Sequence, residues 1–257
     1  MSARIISICN NKGGVGKTTT AHNIGAFLSA LGKKTLLIDL DPQANATLAL
    51  GLDPQTIESG VYHMLTGGIL PEEAVRKTNI FGFDFIPSSL DLAAATVELV
   101  DIKDREYLLE KALKRLSSHY DFIFIDSPPS LDILTVNSIV GAKEIIIPIQ
   151  CEYFALQGLS QLLSTIDLVS NNLGRRPEFI GALLTMYDRR NRLSREIAKI
   201  IRRDFPGHVF DAVIPRNITL AEAPGKRKTI LEFAPLSQGA KAYRQLAQEL
   251  INRKTEP

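Results

Sequence analysis

Short runs that are apolar on successive positions recur along the chain, separated by stretches of helical period. They are RIISIC (4–9), KTLLID (34–39), FDFIP (83–87), YDFIFID (120–126), EIIIPI (144–149), FIGALLT (179–185) and VFDAVIP (209–215). A strand with one wet face alternates apolar and polar residues, whereas a strand covered on both faces does not. Seven such runs predict a mainly parallel sheet with helices on both faces, an α/β fold. From about Ser237 the period becomes helical, with Ala240, Tyr243, Ala247 and Leu250 on one face and Arg244, Gln245, Gln248 and Glu249 elsewhere. This predicts a terminal helix docked on the domain. A membrane-surface anchor would want bulkier apolar residues and a denser basic face. With no fixed-period repeat, low-complexity tract or Ser/Gly linker, residues 1–257 are expected to form a single domain.

The composition changes this picture little. Hydrophobic residues make up 45% and charged residues 23%, as in soluble globular proteins, and no run approaches the roughly 18 apolar residues of a membrane span. The start, MSARIISICN, enters a strand directly without the parts of a signal peptide, so the expected location is the cytoplasm. Two cysteines, Cys9 and Cys151, are too few for a disulfide framework or a four-ligand metal site and are expected as buried small hydrophobes. The net charge of +2 hides an asymmetry. Residues 185–257 carry 15 Lys and Arg against 8 Asp and Glu, while residues 1–184 carry 15 against 20. A polyanionic partner is therefore expected at the C-terminal quarter.

The first run leads into Asn10-Asn11-Lys12-Gly13-Gly14-Val15-Gly16-Lys17-Thr18-Thr19, followed by a helix-compatible stretch to about Leu31. Strand, glycine-rich turn and helix is the context of a phosphate loop, in which backbone N–H groups and the helix N-terminus face phosphate oxygens. Lys17 is then placed on the β- and γ-phosphates and the Thr18 hydroxyl on Mg²⁺. The general pattern G-x-x-x-x-G-K-[ST] wants glycine at position 11, where this chain has Asn11. The second run ends at Asp39-Leu40-Asp41, at the carboxyl end of a strand where α/β sheets bind ligands. The fourth ends at Asp126 before Ser127-Pro128-Pro129, an arrangement in which Asp126 holds Mg²⁺ through water. The turns at Thr185-Met186-Tyr187-Asp188 and Ile214-Pro215-Arg216-Asn217 offer an apolar wall and an amide to a nucleotide base. His22, His63, His119 and His208 are scattered and form no nucleophile set.

The form KGGVGKTT resembles the deviant Walker A box of the ParA/MinD superfamily. The likeness to the short ParA/Soj partition proteins runs nearly end to end, through DPQANATLALG, GVYHML, SPPS, EYFALQGL and IPRN-x-x-LAEAP. The resemblance implies a P-loop NTPase with ATP and Mg²⁺ as cofactors and slow ATP hydrolysis. It implies a homodimer around ATP in which Lys12 reaches the partner's nucleotide and Gly13 leaves room for it. Asp41 corresponds to the residue that orients the attacking water, and Asp39 lies beside the metal. Met186, Pro215 and Asn217 take the adenine side, and Gly14, Val15, Gly16 and Thr19 complete the loop. Its implied partners are non-specific double-stranded DNA on the nucleoid and a ParB-like protein that stimulates hydrolysis. Related alternatives fit less well. An iron protein would need bridging cysteines, and a MinD-like regulator would need a C-terminal membrane helix. A ligase such as dethiobiotin synthetase would turn over ATP with a small molecule and no DNA.

For DNA, Arg189 and Arg190 follow the TMYD turn, and Arg192, Arg195, Lys199 and Arg202 recur at i, i+3, i+7 and i+10. These form one helical stripe, with Leu193, Ile197, Ile200 and Ile201 expected on the buried side. Relatives place a DNA-contacting arginine where this chain has Thr219, and Lys226, Arg227 and Lys228 nearby could supply that charge. No base-reading motif accompanies these residues, so contact with phosphates is expected.

Overall fold

The computed structural model describes residues 2–175 and 177–253; the expected domain span of 1–257 includes Met1, Arg176 and 254–257, which lie outside them. Its strands are β1 (Arg4–Ile8), β2 (Thr35–Asp39), β3 (Arg76–Lys77), β4 (Phe83–Ile86), β5 (Phe122–Asp126), β6 (Glu144–Gln150) and β7 (Glu178–Thr185). They form one sheet in the order β3-β4-β2-β5-β1-β6-β7. Every pairing is parallel except that of β3 with β4. The helices are α1 (Lys17–Ala30), α2 (Asn45–Ala49), α3 (Val61–Leu65), α4 (Leu92–Glu98), α5 (Leu108–Leu116) and α6 (Ile133–Gly141). They continue with α7 (Ala155–Leu173), α8 (Arg192–Asp204), α9 (Ile218–Gly225), α10 (Ile230–Phe233) and α11 (Gln238–Asn252).

The expected double cover is present. Ile6, Ile8, Leu37, Phe85, Phe124, Ile146 and Leu183 face one layer, built from α1, α9, α10 and α11. Ile5, Leu36, Ile38, Ile123 and Ile125 face α3, α4 and α5 on the other side, where Ile145, Ile147 and Leu184 meet α7 and α8. Successive strand residues thus feed opposite layers, as the pleat requires. Helix α1 is buried on nearly every side, between the sheet and α11, and the Thr20 hydroxyl lies 3.2 Å from that of Tyr243. Helix α11 is capped by Ser237, whose hydroxyl accepts the Ala240 N–H, and buries Ala240, Tyr243, Ala247 and Leu250 as expected, with Leu246 beside them.

One expectation needs correction, and one strand was not foreseen. The run VFDAVIP is not a strand. It makes isolated bridges at Val209 and Pro215, and between them the N–H groups of Asp211 and Ala212 donate to the Glu249 carboxylate, each at 3.0 Å. An acid on α11 captures the donors that a ladder would have used. The two-residue strand β3 carries no apolar run, and it is held from outside its own sequence, by pairing with β4 and by a 2.7 Å ion pair from Lys77 to Asp84.

Glu249 also lies 2.9 Å from His208 Nε2, so one carboxylate ties α11 to the sheet edge at three points. Glu249→Ala is expected to cost about 1–3 kcal/mol, because it strands backbone donors. Urea unfolding at neutral pH measures it, and an unchanged midpoint would mean that water replaces the carboxylate.

Candidate nucleotide site and basic surfaces

The loop 9–16 leaves β1 at the carboxyl edge of the sheet and is clamped by the ends of β6 and β7. Asn10 Nδ2 donates to Pro148 O at 2.7 Å while its Oδ1 accepts from Lys12 N at 3.0 Å. Thr185 Oγ1 donates to Val15 O at 2.8 Å. Gly14 and Gly16 have φ of 74° and 92°, left-handed conformations that explain glycine at both. Gly13 is different. Its φ lies outside that region, and a Cβ built on it would meet nothing within 4 Å, so the chain's own structure does not require glycine there.

Three charges converge beneath this loop. Lys17 is 6% exposed, and its Nζ donates to Lys12 O at 2.9 Å. Burial lowers its pKa, while Asp126, Cys9 and Asp41 act the other way. Asp39 and Asp126 end neighbouring strands in direct register and are fully buried. Asp39 Oδ2 accepts from Thr47 N at 2.8 Å and Thr47 Oγ1 at 2.7 Å, and Oδ1 from Asp41 N at 3.3 Å. Burial nevertheless pushes its carboxyl up to about 7. Neither oxygen of Asp126 has a hydrogen-bond partner among the described residues. Burial first, then the Asp39 charge, holds it well above the usual carboxylate range, while the nearby Thr18 hydroxyl favours its charged form. Buried polar atoms rarely stand alone. A bare carboxylate beside a threonine hydroxyl offers the hard oxygen donors that suit Mg²⁺. The described residues hold no cluster of three or more His, Cys, Asp or Glu that could hold a metal ion by themselves. Asp39, by contrast, spends its oxygens on Thr47 and the Asp41 backbone, so it braces α2 more than it faces an ion.

Asp41 is buried, accepts from Gln43 N at 2.9 Å, and is raised by burial. Its carbonyl receives the Ser88 hydroxyl at 2.9 Å. With Gly13, Gly14, Lys17, Thr18 and Thr19 it lines a cavity of about 610 Å³. A second cavity of about 340 Å³ adjoins it through Gly16, Thr19 and Met186. This one is walled by Ile214, Pro215, Leu220 and Tyr243 with Asn217 at its rim, so the three expected base-side residues are brought together. Asn217 Oδ1 is committed to Leu220 N at 3.1 Å and to the Thr219 hydroxyl, so its NH₂ is the group left to donate to a base. Met186 has φ of 48°, a conformation disfavoured for a side chain of that size.

Sequence reasoning missed Thr47, Thr185 and Tyr243 in this site. Each is placed by a contact with another element; Thr47 and Thr185 lie in segments singled out above without a role of their own, and Tyr243 was expected only on the apolar face of α11. The remaining expectations concerned filler. His22 is buried with a pKa lowered to about 4 by burial; its Nδ1–H donates to Thr18 O at 2.7 Å, and Nε2 accepts from Asn23 Nδ2 at 3.1 Å. Cys9 and Cys151 are buried and unbridged, and burial raises both thiols to about 11.

The basic residues fall into two groups. Arg189, Arg190, Arg192, Arg195, Lys199 and Arg202 are exposed along the start and outer face of α8, but not all are unengaged. Arg192 pairs with Glu196 at 2.8 Å, Arg195 donates to Arg189 O at 2.8 Å, and Arg202 reaches Phe210 O at 3.3 Å. The buried stripe of α8 is Ser194, Ile197, Ala198 and Ile201. Leu193 is 40% exposed and Ile200 half-buried, a correction that follows from the i, i+3, i+4, i+7 stripe selecting 194 over 193. Lys226, Arg227 and Lys228 are exposed in the turn after α9, in the layer of α1. The two groups therefore belong to opposite faces of the sheet.

A family model described as "AAA domain" matches residues 3–178. The sporulation initiation inhibitor protein Soj of Bacillus subtilis is 44% identical over 247 residues, covering 96% of this chain and 98% of Soj. The chromosome partitioning protein ParA of Caulobacter vibrioides is 44% identical over 255 residues, covering 98% and 96%. The chain belongs to the ParA/Soj family. Among solved structures, a cobyrinic acid a,c-diamide synthase from Mycobacterium smegmatis with bound ADP and magnesium is 36% identical, with a TM-score of 0.85 and coverage of 97% of this chain and 94% of that one. The fold is the P-loop NTPase fold of the ParA/MinD superfamily. No helix among the described residues is long and apolar enough to cross a membrane.

The raised carboxyl pair carries a pH consequence. A cation at Asp126 requires the ionised form, and burial with the Asp39 charge holds that carboxyl well above the usual carboxylate range, so protons compete with the ion as pH falls. Mg²⁺-dependent nucleotide affinity, followed by fluorescent titration, is therefore expected to weaken on acidification, while Mg²⁺-free affinity changes less. Parallel curves with and without Mg²⁺ would show that these carboxyls do not meet the ion.

Proposed function

We propose that the chain is an ATP-driven DNA partition switch, working as a homodimer that forms around ATP and grips DNA until hydrolysis releases it. One observation carries most of this reading. A single phosphate loop holds two lysines, one buried among carboxylates and one half-buried at the edge of the loop, against the start of α7. Lys17 faces the cavity, where a cation on the β- and γ-phosphates can be partly desolvated. Lys12 stands beside Gly13, whose open face admits a second chain, and beside Tyr153 and Phe154, which are 71% and 65% exposed.

The nucleotide is ATP with Mg²⁺. Bound between Thr18 and Asp126, Mg²⁺ supplies charge neutralisation at the phosphate oxygens. Lys17 and the loop N–H groups hold the phosphates in line. Asp41, at the cavity wall, orients the water that attacks the γ-phosphorus as the bond to the bridging oxygen breaks and ADP leaves. The base lies between Met186 and Pro215, with the Asn217 NH₂ donating to a ring nitrogen. Slow intrinsic turnover and stimulation by a ParB-type protein follow from the resemblance to the ParA/Soj family. The nucleoid is the expected site of action in the cytoplasm.

The similarity to a cobyrinic acid a,c-diamide synthase favours a second reading, ATP-dependent synthesis on a small molecule. Its 36% identity is below the 44% shared with Soj and ParA. A gel shift with non-specific duplex DNA, run without nucleotide, with ADP and with a slowly hydrolysed ATP analogue, separates the two. Retardation with the analogue alone is expected; no retardation in any lane would favour the synthase.

The lysines divide the work. Lys17→Ala is expected to lose ATP binding. Lys12→Ala is expected to bind ATP and fail to dimerise, and Asp41→Ala to dimerise without hydrolysing. Light scattering alongside phosphate release checks this, and Lys12→Ala and Asp41→Ala behaving alike would refute the division.

Contact with DNA through phosphates alone makes affinity fall steeply with salt. Charge reversal at Arg190 with Arg195, or at Lys226 with Arg227, is expected to weaken DNA binding and flatten the salt slope while ATP-driven dimerisation persists. A double mutant with native affinity and slope would remove that group from the DNA surface.

A further inference from the structure

The side chain of Lys12 does not extend into solvent. Its Nζ donates to the carbonyl of Phe154, the residue that precedes α7, and lies 6.0 Å from the centre of the Phe154 ring. The stem passes over Gly158, in the first turn of α7. A Cβ built on Gly158 would stand 2.5 Å from Lys12 Cε, 3.1 Å from Cδ and 3.2 Å from Nζ, and these are its three nearest neighbours. Glycine is a poor helix former, and the φ of Gly158 is not in the left-handed region, so the backbone does not require glycine. What a methyl group would meet is Lys12.

The seat holds Lys12 by shape more than by charge. Phe154 O already accepts the Gly158 N–H at 3.2 Å, so the ammonium shares its acceptor. The N-terminal end of a helix carries partial positive charge, the wrong sign for a cation. A polyphosphate arriving nearby competes on better terms.

We infer that Gly158 is a positioning residue for Lys12, providing a seat on the lysine's own chain that Lys12 leaves when it reaches a partner's nucleotide. The seat sets the protein concentration at which the ATP dimer forms. This rests on the role proposed above for Lys12. In Gly158→Ala the lysine stem is the flexible member of the collision, so it gives way and the helix stays intact. A conformer otherwise reached only by leaving the seat is then populated in advance, which lowers the apparent dissociation constant of the dimer.

The test uses the full chain and a double-mutant cycle. In the nucleotide-free Lys12→Ala background, Gly158→Ala is expected to raise the melting midpoint by about 2–4 °C, because the methyl fills space that the lysine has left and alanine favours the helix. With Lys12 present the same change is expected to give no gain or a fall. With a slowly hydrolysed ATP analogue, Gly158→Ala is expected to dimerise at a concentration on the order of fivefold lower than the native chain. Circular dichroism confirms that each variant is folded. Equal melting shifts in both backgrounds would overturn the seat. Coupled shifts with an unchanged dimer midpoint would overturn the positioning role, leaving only packing. If Lys12→Ala itself dimerises like the native chain, the fault lies instead with the proposed cross-subunit role of Lys12.

Discussion

Asp39 and Asp126 end adjacent parallel strands, in register and out of water, and the rest of the site is arranged around that placement. Two carboxylates so placed cannot both ionise without compensation. The protein compensates them unequally. Asp39 accepts from two groups of Thr47 and from the Asp41 backbone, whereas Asp126 receives no hydrogen bond from the described residues. Lys17 is the nearby cation, and it is turned toward the Lys12 carbonyl. A buried, uncompensated carboxylate is costly, and folds retain such groups where a ligand completes them. The asymmetry separates a carboxylate that braces α2 from one left without a hydrogen bond, a distinction that spacing along the chain does not reveal.

Much of the architecture was legible because it rests on local rules. Six apolar runs became parallel strands because a strand buried on both faces must be apolar throughout. The phosphate loop was legible because two left-handed residues admit little but glycine. What escaped was decided by distant partners. VFDAVIP has the composition of a strand and is denied its ladder by Glu249, an acid about 40 positions away. Thr47 and Thr185 lie in recognisable segments and Tyr243 on an apolar face, but their parts in the site follow from how α2, β7 and α11 pack. The stripe on α8 was right in kind and wrong at two positions, with Ser194 and Ala198 buried in place of Leu193 and Ile200, because the face a helix buries is set by how it meets the sheet.

The two basic groups differ in how they are joined to the nucleotide. The arginines of α8 follow the Met186 turn directly, so they are connected to the base side through a few residues of a strained backbone. The turn at Lys226–Lys228 is reached by another route. Asn217, at the rim of the base pocket, caps α9. That helix packs on α2, and α2 carries Thr47, which Asp39 holds. Pro224 lines the phosphate cavity, and the turn brings Arg227 against Gly51, just after α2. A contiguous path of packed groups therefore runs from the paired carboxylates to this second basic turn. Contiguity alone does not transmit a signal; an element with two arrangements is also needed. The short helix α2, only five residues long, is too brief to be stable by itself and is held by the bonds from Thr47 to Asp39 and by packing on α9. Thr47 on α2 holds Asp39, and Gly51, just after α2, meets Arg227, so this short segment joins the carboxylate pair by packing to the turn carrying Lys226, Arg227 and Lys228.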